Sequence, residues 1–359
     1  MHSEFAHTFP AARGIQAGRP CYITMCPMRL VPKIFVFDEA EVPPELRAQR
    51  VLNRARLPEI TAYLIDNIRD YTLSAITASV NGQVHFEPSA DTGLGQNLGT
   101  LSIPMDAQIL INDGQHRRKA IESAIEVNPE LGYENIPVLF FIDEGLERSQ
   151  QMFADLNKHA VRPSDSISTL YDRRDVIAEL ARRMVKEVEV FSRLTELEKS
   201  SISNRSTKLF TLSAIKNATK SLLGKSKGDP IDESEIELAI AYWETVAANM
   251  PDWQQALAKK VSTSELREQY IHAHAVMLQA MGNIGSGLLV RPSPQWTNAL
   301  KGLSSIDWAR ANKEWEGRAM HHGRISKAIH SVMLTGNYIK IQLGLPLTAS
   351  EKEYEDNLK

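Results

Sequence analysis

The chain has 359 residues, 43% of them hydrophobic and 24% charged, and a formal net charge of −3. This is the composition of a globular protein with room for one large domain or two ordinary ones. It argues against a dedicated basic nucleic-acid binder, so any nucleic-acid contact is expected from a local patch.

No apolar run approaches bilayer length, and Met1-His2-Ser3-Glu4-Phe5 lacks the basic start and apolar stretch of a signal peptide. No membrane association is expected. The only two cysteines, Cys21 and Cys26, argue against a disulfide scaffold and for a reducing, cytoplasmic setting.

Along the first half, strand-like and helix-like patterns alternate. Cys21 to Phe37 reads as extended, interrupted by Pro27 and Pro32. Leu57-Pro58-Glu59 opens a helix with Ile60, Leu64 and Ile68 on one face. Thr72 to Val80 alternates like a strand, Asn81-Gly82 is a hairpin signal, and Val84 to Phe86 is the expected return. Gly93, Gly95 and Gly99 suggest a mobile loop. Leu98 to Ile103 and Gln108 to Ile111 are two further strands, a helix runs from Asp113 to about Val127, and Ile136 to Ile142 is a buried strand. Leu146, Met152, Phe153 and Leu156 define another helix.

A proline and a capping residue place a boundary near Arg162-Pro163-Ser164-Asp165. Beyond it helices dominate, around Val176 to Val188, Leu209 to Leu223, Glu233 to Ala248, Ser264 to Met281 and Gly323 to Leu334. Gly282-Asn283-Ile284-Gly285-Ser286-Gly287 reads as a loop, and five tryptophans, Trp243, Trp253, Trp296, Trp308 and Trp315, are expected to build the core of this half. The expected fold is α+β: a mixed domain over 1–165 and an all-helical domain over 166–359.

The segment richest in chemistry is Ile109-Leu110-Ile111-Asn112-Asp113-Gly114-Gln115-His116-Arg117-Arg118-Lys119-Ala120. A strand enters a helix through Asp113-Gly114. Asp113 is expected to cap the helix, and free backbone N–H groups with the positive end of the helix dipole make an anion site. His116, Arg117, Arg118 and Lys119 add donors, and Arg117 is expected to point into that site. The plainer alternative is a solvated basic turn at a helix start.

Asp113-Gly114-Gln115-His116-Arg117 resembles the signature of the DGQHR proteins, and in particular of the DndB family associated with bacterial DNA phosphorothioation. The resemblance extends over Arg13 to Arg19, Arg54 to Ile60, Ile76 to Val80, Met152 to Ala160 and Lys208 to Leu212. It implies a ParB/sulfiredoxin-like first domain and negative transcriptional control of a modification operon through its double-stranded promoter DNA. Gly114, Arg117 and Ala120 match the ParB-like Gly-x-x-Arg-x-x-Ala pattern that cradles nucleotide phosphates, and Asn157 matches a ParB asparagine. Gln115 stands where sulfiredoxins carry their catalytic cysteine, and an amide cannot supply a thiolate. The phosphate or nucleotide set expected is therefore Asp113, Gly114, Gln115, His116, Arg117, Arg118, Asn157, His159, Arg54 and Arg56.

Lys199 to Gly228 carries Lys199, Arg205, Lys208, Lys216, Lys220, Lys225 and Lys227 and no acidic residue. One-sign charge in an acidic protein suggests a phosphate-backbone surface, against the plainer reading of pairing with Asp229 to Glu237. Cys26, near Arg29 and Lys33, is a further candidate for a DNA-proximal thiol, against the reading of a small buried residue. His272, His274, His321 and His322 read as structural, and no metal pattern is present. No catalytic residue is assigned. A nucleoside triphosphate is the one cofactor the turn could take, so the rival reading is a nucleotide-binding or nucleotide-hydrolysing accessory protein. There is no Walker-type loop. A third reading is an assembly protein contacting other modification proteins or copies of itself.

Overall fold

A computed structural model describes residues 5–35, 57–142, 151–152, 155–156, 163–226 and 228–358. The chain divides into two compact units, Met1–Val161 and Arg162–Lys359. The protein is mixed α and β.

The first unit is built on a seven-stranded mixed sheet of order β4-β5-β1-β2-β7-β3-β6. Its strands are β1 (Ala6–Gln16), β2 (Arg19–Pro27), β3 (Ile76–Asn81), β4 (His85–Pro88), β5 (Leu98–Pro104), β6 (Gln108–Asp113) and β7 (Asn135–Ile142). β1 and β2 form a hairpin whose two turn residues, Ala17 and Gly18, both have positive φ, 50° and 74°. Such turns match the twist of the paired strands. Along β2, Tyr22, Thr24 and Cys26 are buried while Ile23 and Met25 are exposed, the period of two expected of a pleated strand. β3 is buried from Ile76 to Val80 because β7 pairs with it on one side and β6 on the other. Helices α1 (Val31–Ile34), α2 (Leu57–Asp66) and α3 (Gln115–Val127) complete the unit. Leu64 of α2 and Ala120, Ile121 and Ala124 of α3 join Ile76, Val80, Ile111, Val138 and Phe140 in one core.

Three expectations change here. Asn81-Gly82 does not close a hairpin: β4 pairs with β5, at the edge of the sheet opposite β6, because both sides of β3 are already taken. Val31–Ile34 is a short helical turn rather than extended chain, begun by Pro32 at its first positions. Gly99 lies in β5, where a Cβ would sit 2.0 Å from the Glu87 carbonyl, so the glycine permits close strand approach. Leu146 and Phe153 of the expected helix before the boundary lie outside the described residues.

The second unit is mostly helical rather than all-helical, since Thr195–Glu196 pairs with Phe210–Thr211 and Met320–His321 with Arg324–Ile325. Its helices are α4 (Asp165–Tyr171), α5 (Val176–Glu187), α6 (Glu189–Leu194), α7 (Leu212–Leu222), α8 (Glu233–Ala248), α9 (Pro251–Leu257), α10 (Thr263–Gln269), α11 (Ala275–Leu288), α12 (Ser293–Leu300), α13 (Ile329–Gln342) and α14 (Ala349–Asp356). A capping box of Asp232 and Glu235 starts α8. All five tryptophans are buried, and edge-on contacts link Phe191 to Trp243 and Phe210 to Trp253 at centroid separations of 5.4 and 4.9 Å. His272 is fully buried. Its ring bonds Asp252 at 2.9 Å and accepts from Trp253 Nε1 at 3.2 Å.

The glycine-rich run at 282–287 is not a loop but the last turns of α11. A Cβ on Gly282 would lie 2.2 Å from the Ala218 carbonyl oxygen, and one on Gly285 2.2 Å from Leu222 Cδ1. These contacts advance together along both helices, so α7 and α11 run parallel at a separation only glycine allows. The expected single helix from Ser264 to Met281 is split into α10 and α11 by a short turn at Ile271–Ala273. The last long helix starts at Ile329, since Arg324–Ile325 pairs with Met320–His321.

Candidate functional site

The Asp-Gly-Gln-His-Arg segment forms the β6–α3 junction. Pairing of β3 with β6 shifts by one residue between Thr77 and Ala78, whose partners are Asp113 and Ile111. Asn112 is the extra residue, and such bulges re-aim side chains beside functional sites. Asn112 is fully buried, its amide donates to Ser79 Oγ at 2.6 Å, and its Oδ1 has no partner among the described residues.

Gly114 then takes φ 113° and becomes the N-cap of α3. A Cβ there would lie 3.0 Å from Ile76 Cγ1 and 3.2 Å from Arg117 Nη2, so both backbone angle and space select glycine. No side chain caps α3. Asp113 therefore does not serve as the cap the sequence suggests. The left-handed glycine interposed before the helix carries its carboxylate out of reach of the first-turn amides.

Asp113 instead accepts from Arg117 Nη2 at 2.5 Å, and the same nitrogen donates to the Ala75 carbonyl at 3.0 Å. The Arg117 guanidinium is thus turned back onto β6 and the segment leading into β3. The guanidinium lies beside the Gly114 N-cap, where the sequence places an anion site, and is held there by the i, i+4 carboxylate and the Ala75 carbonyl. Arg118 bonds Glu122 at 3.1 Å and the Pro32 carbonyl at 2.8 Å, and Lys119 bonds Glu122 at 2.9 Å. Gln115 is only 5% exposed and its Nε2 has no partner among the described residues. What remains for a ligand is the uncapped first turn of α3 with the buried Gln115 amide and Arg117 Nε, both without partners among the described residues. Arg54, Arg56, Asn157 and His159 lie outside the described residues.

The basic segment is largely committed within the fold. Lys216 pairs with Asp175, Lys225 with Glu235 at 2.7 Å, and Lys208 donates to the Arg193 carbonyl at 2.7 Å. Lys225 thus pairs into the acidic stretch that follows the segment in sequence, the plainer reading weighed above, whereas the partner of Lys216 comes from the residue that caps α5. Burial works to raise the Asp175 carboxyl, but the hydrogen bond and charge of Lys216, with the Ala178 and Ile177 amides, hold it below its ordinary value. Lys199 and Arg205 are exposed, Lys220 is half-buried, and none forms an ion pair among the described residues. Lys227 lies outside those residues.

Cys26 is not at a surface. It is fully buried in the core of the first unit, and burial pushes its thiol up to about 12. Among the described residues no cluster of His, Cys, Asp or Glu could hold a metal, and no helix is long and apolar enough to cross a membrane.

A family profile described as DndB, DNA-sulfur modification-associated, matches residues 9–346. The chain belongs to the DndB family. Membership ties the protein to DNA sulfur modification. The match spans both compact units of this DndB-family chain, the β6–α3 turn and the basic segment included. No curated protein and no solved structure matches the chain. Sequence reasoning missed two features of this DndB-family site: the buried Asn112–Ser79 pair and the tie from Arg117 to Ala75. The only signal for either was polar Asn112 inside an otherwise apolar strand, whose hydrogen-bond demand a buried position must satisfy.

Proposed function

We propose that the protein is a DNA-binding negative regulator of the operon encoding a bacterial DNA phosphorothioation system, acting in the cytoplasm on its own promoter. The observation that carries this reading is the DndB-family match over 9–346. Lys199, Arg205 and Lys220, which form no ion pair among the described residues, supply the phosphate contacts, with Lys208, Lys216 and Lys225 holding the surface that presents them. In this reading the first unit is a DGQHR domain of ParB/sulfiredoxin-like type. Other modification proteins or a second copy of the chain are its protein partners.

A gel-shift titration with the operon's own promoter against scrambled duplex tests it. Promoter-selective binding is expected. Replacing Lys199, Arg205 and Lys220 together by alanine should flatten the slope of log K against log salt by about 0.9 for each phosphate no longer neutralised. Equal affinity for both duplexes, or an unchanged slope, overturns the assignment.

A second reading is favoured by the uncapped start of α3 and the unpartnered Gln115 amide. These suit an anion, so the turn binds a phosphate or a nucleoside triphosphate and the protein is a nucleotide-dependent accessory of the machinery. Nucleotide binding abolished by Gln115→Leu, with phosphate release in the parent, would establish it. No binding in the parent ends it.

A further inference from the structure

The second unit contains a cavity of about 450 Å³, walled in part by the basic segment itself. Its walls are the loop Ser200-Ser201-Ile202 with Asn204, the start of α7 at Thr211 and Ala214, the start of α11 at Ala275, and Arg267, His274 and Arg310. Its size is that of small-ligand sites.

The two arginines stand out electrostatically. Arg267 donates to the backbone carbonyls of Ser203, Asn204, Ser206 and Lys208. Arg310 donates to those of Glu268 and Gly323. Neither forms an ion pair with a carboxylate among the described residues, so backbone dipoles hold both guanidinium groups in place, and the nearby charge of Glu268 offsets Arg267 only in part. Glu268 is the one acidic residue in the lining, and its carboxylate lies 3.4 Å from Ser264 Oγ. Two arginines against one glutamate leave the lining positive.

Helix geometry adds to that field. Because α7 and α11 run parallel, their N-termini meet at this cavity and their dipoles point the same way. Thr211 and Ser166 satisfy amides of α7, whereas α11 starts at His274 with no side-chain cap. His274 Nε2 bonds the Arg267 carbonyl at 2.9 Å. Burial pulls the ring down to about 4, and the charges of Arg310 and Arg267 act in the same direction. The ring is therefore neutral at physiological pH.

We infer that this cavity is a second anion site, separate from the β6–α3 turn, which takes a phosphoryl group between Arg267, Arg310 and the start of α11. Guanidinium groups already oriented by carbonyls bind such a group at little ordering cost, and the hydroxyls of Ser200 and Ser201 complete a donor-rich rim. The phosphoryl group comes either from a free phosphate compound or from a DNA backbone, and the basic residues flanking the loop, Lys199 and Arg205, adjoin the rim in sequence.

The test is calorimetric titration of the full chain with inorganic pyrophosphate, and separately with a short DNA duplex. Ser201→Glu places a carboxylate at the exposed rim and leaves the hydrogen bonds of both arginines in place. Arg310→Gln removes charge while keeping a donor. Each is expected to weaken pyrophosphate binding at least tenfold, Ser201→Glu with an unchanged melting temperature, whereas Gln115→Leu in the first unit leaves this signal intact. If pyrophosphate is displaced by duplex DNA, the natural source is a DNA backbone. If both bind without competing, it is a free phosphate compound. Absence of saturable pyrophosphate binding, or equal binding by parent and Ser201→Glu, overturns the site. Failure of promoter recognition alone leaves it standing, because pyrophosphate needs no promoter.

Discussion

Arg117 donates to the carboxylate of Asp113, four residues before it, at 2.5 Å, so the two charged members of the Asp-Gly-Gln-His-Arg segment hold each other. The same guanidinium reaches the Ala75 carbonyl ahead of β3. The motif is in this respect a clasp between neighbouring strands and a helix, with Arg117 Nε and Gln115 Nε2 left as buried donors without partners among the described residues.

The clasp makes the two residues energetically dependent. Asp113→Ala and Arg117→Ala are each expected to cost about 1 kcal/mol, with Arg117→Ala the larger because it also frees the Ala75 carbonyl. The double variant should cost less than the sum by about 0.5 kcal/mol. Urea unfolding of the four proteins measures this, and strict additivity would show that the contact contributes nothing.

Lys216 is expected to act on stability. Lys216→Ala should lower it by about 1 kcal/mol, and Asp175→Ala by about 2 kcal/mol, since Asp175 also caps α5 by accepting from the Ile177 amide. The folded Asp175 carboxyl titrates below its unfolded value of 3.8. Its stabilisation is therefore complete above that pH and is lost as pH falls through the depressed folded value. Lys216→Ala should reduce that acid-side loss. Denaturation curves across the acid range check both, and a parent and variant with the same acid dependence would refute the coupling.

The glycines of α11 should divide sharply. Gly282→Ala drives a methyl against the Ala218 carbonyl and is expected to cost about 3 kcal/mol or to part the two helices. Gly287→Ala meets nothing within 4 Å and should stabilise by about 0.5–1 kcal/mol, the ordinary helix preference for alanine. Thermal melts rank the two, and equal effects would mean that α7 and α11 are not in close contact.

Cys26 should be silent to reagents. With the fold intact, a thiol-specific probe is expected to label the partly exposed Cys21 and to reach Cys26 only on unfolding. Cys26→Ser buries a hydroxyl in an apolar core and should cost about 1–3 kcal/mol. Any loss of DNA binding in that variant should track its loss of fold, measured by circular dichroism at the same temperature. Rapid native labelling of Cys26 would contradict its burial.

Local patterns were legible wherever a single element decides its own outcome. The strand–glycine–helix junction at 108–127, the helix at Glu233–Ala248 and the burial of all five tryptophans follow from alternation, capping and apolar periodicity along the chain. The segment Asp113 to Arg117 was enough to point to the family. Partnership across the fold was not legible, because it depends on residues far apart in sequence. Asn81-Gly82 carries the signature of a hairpin, yet β4 pairs with β5, because β6 and β7 take the two sides of β3. The acid-free basic segment meets Glu235 from the acidic stretch next to it in sequence, but its other carboxylate, Asp175, comes from the cap of α5, which no local pattern indicated. A run of glycines that reads as loop is helix, because the backbone of α7 lies where side chains would have been. Tertiary packing alone decided which charges stay free and which glycines have no space for a methyl, since both depend on what comes within a few ångströms through space.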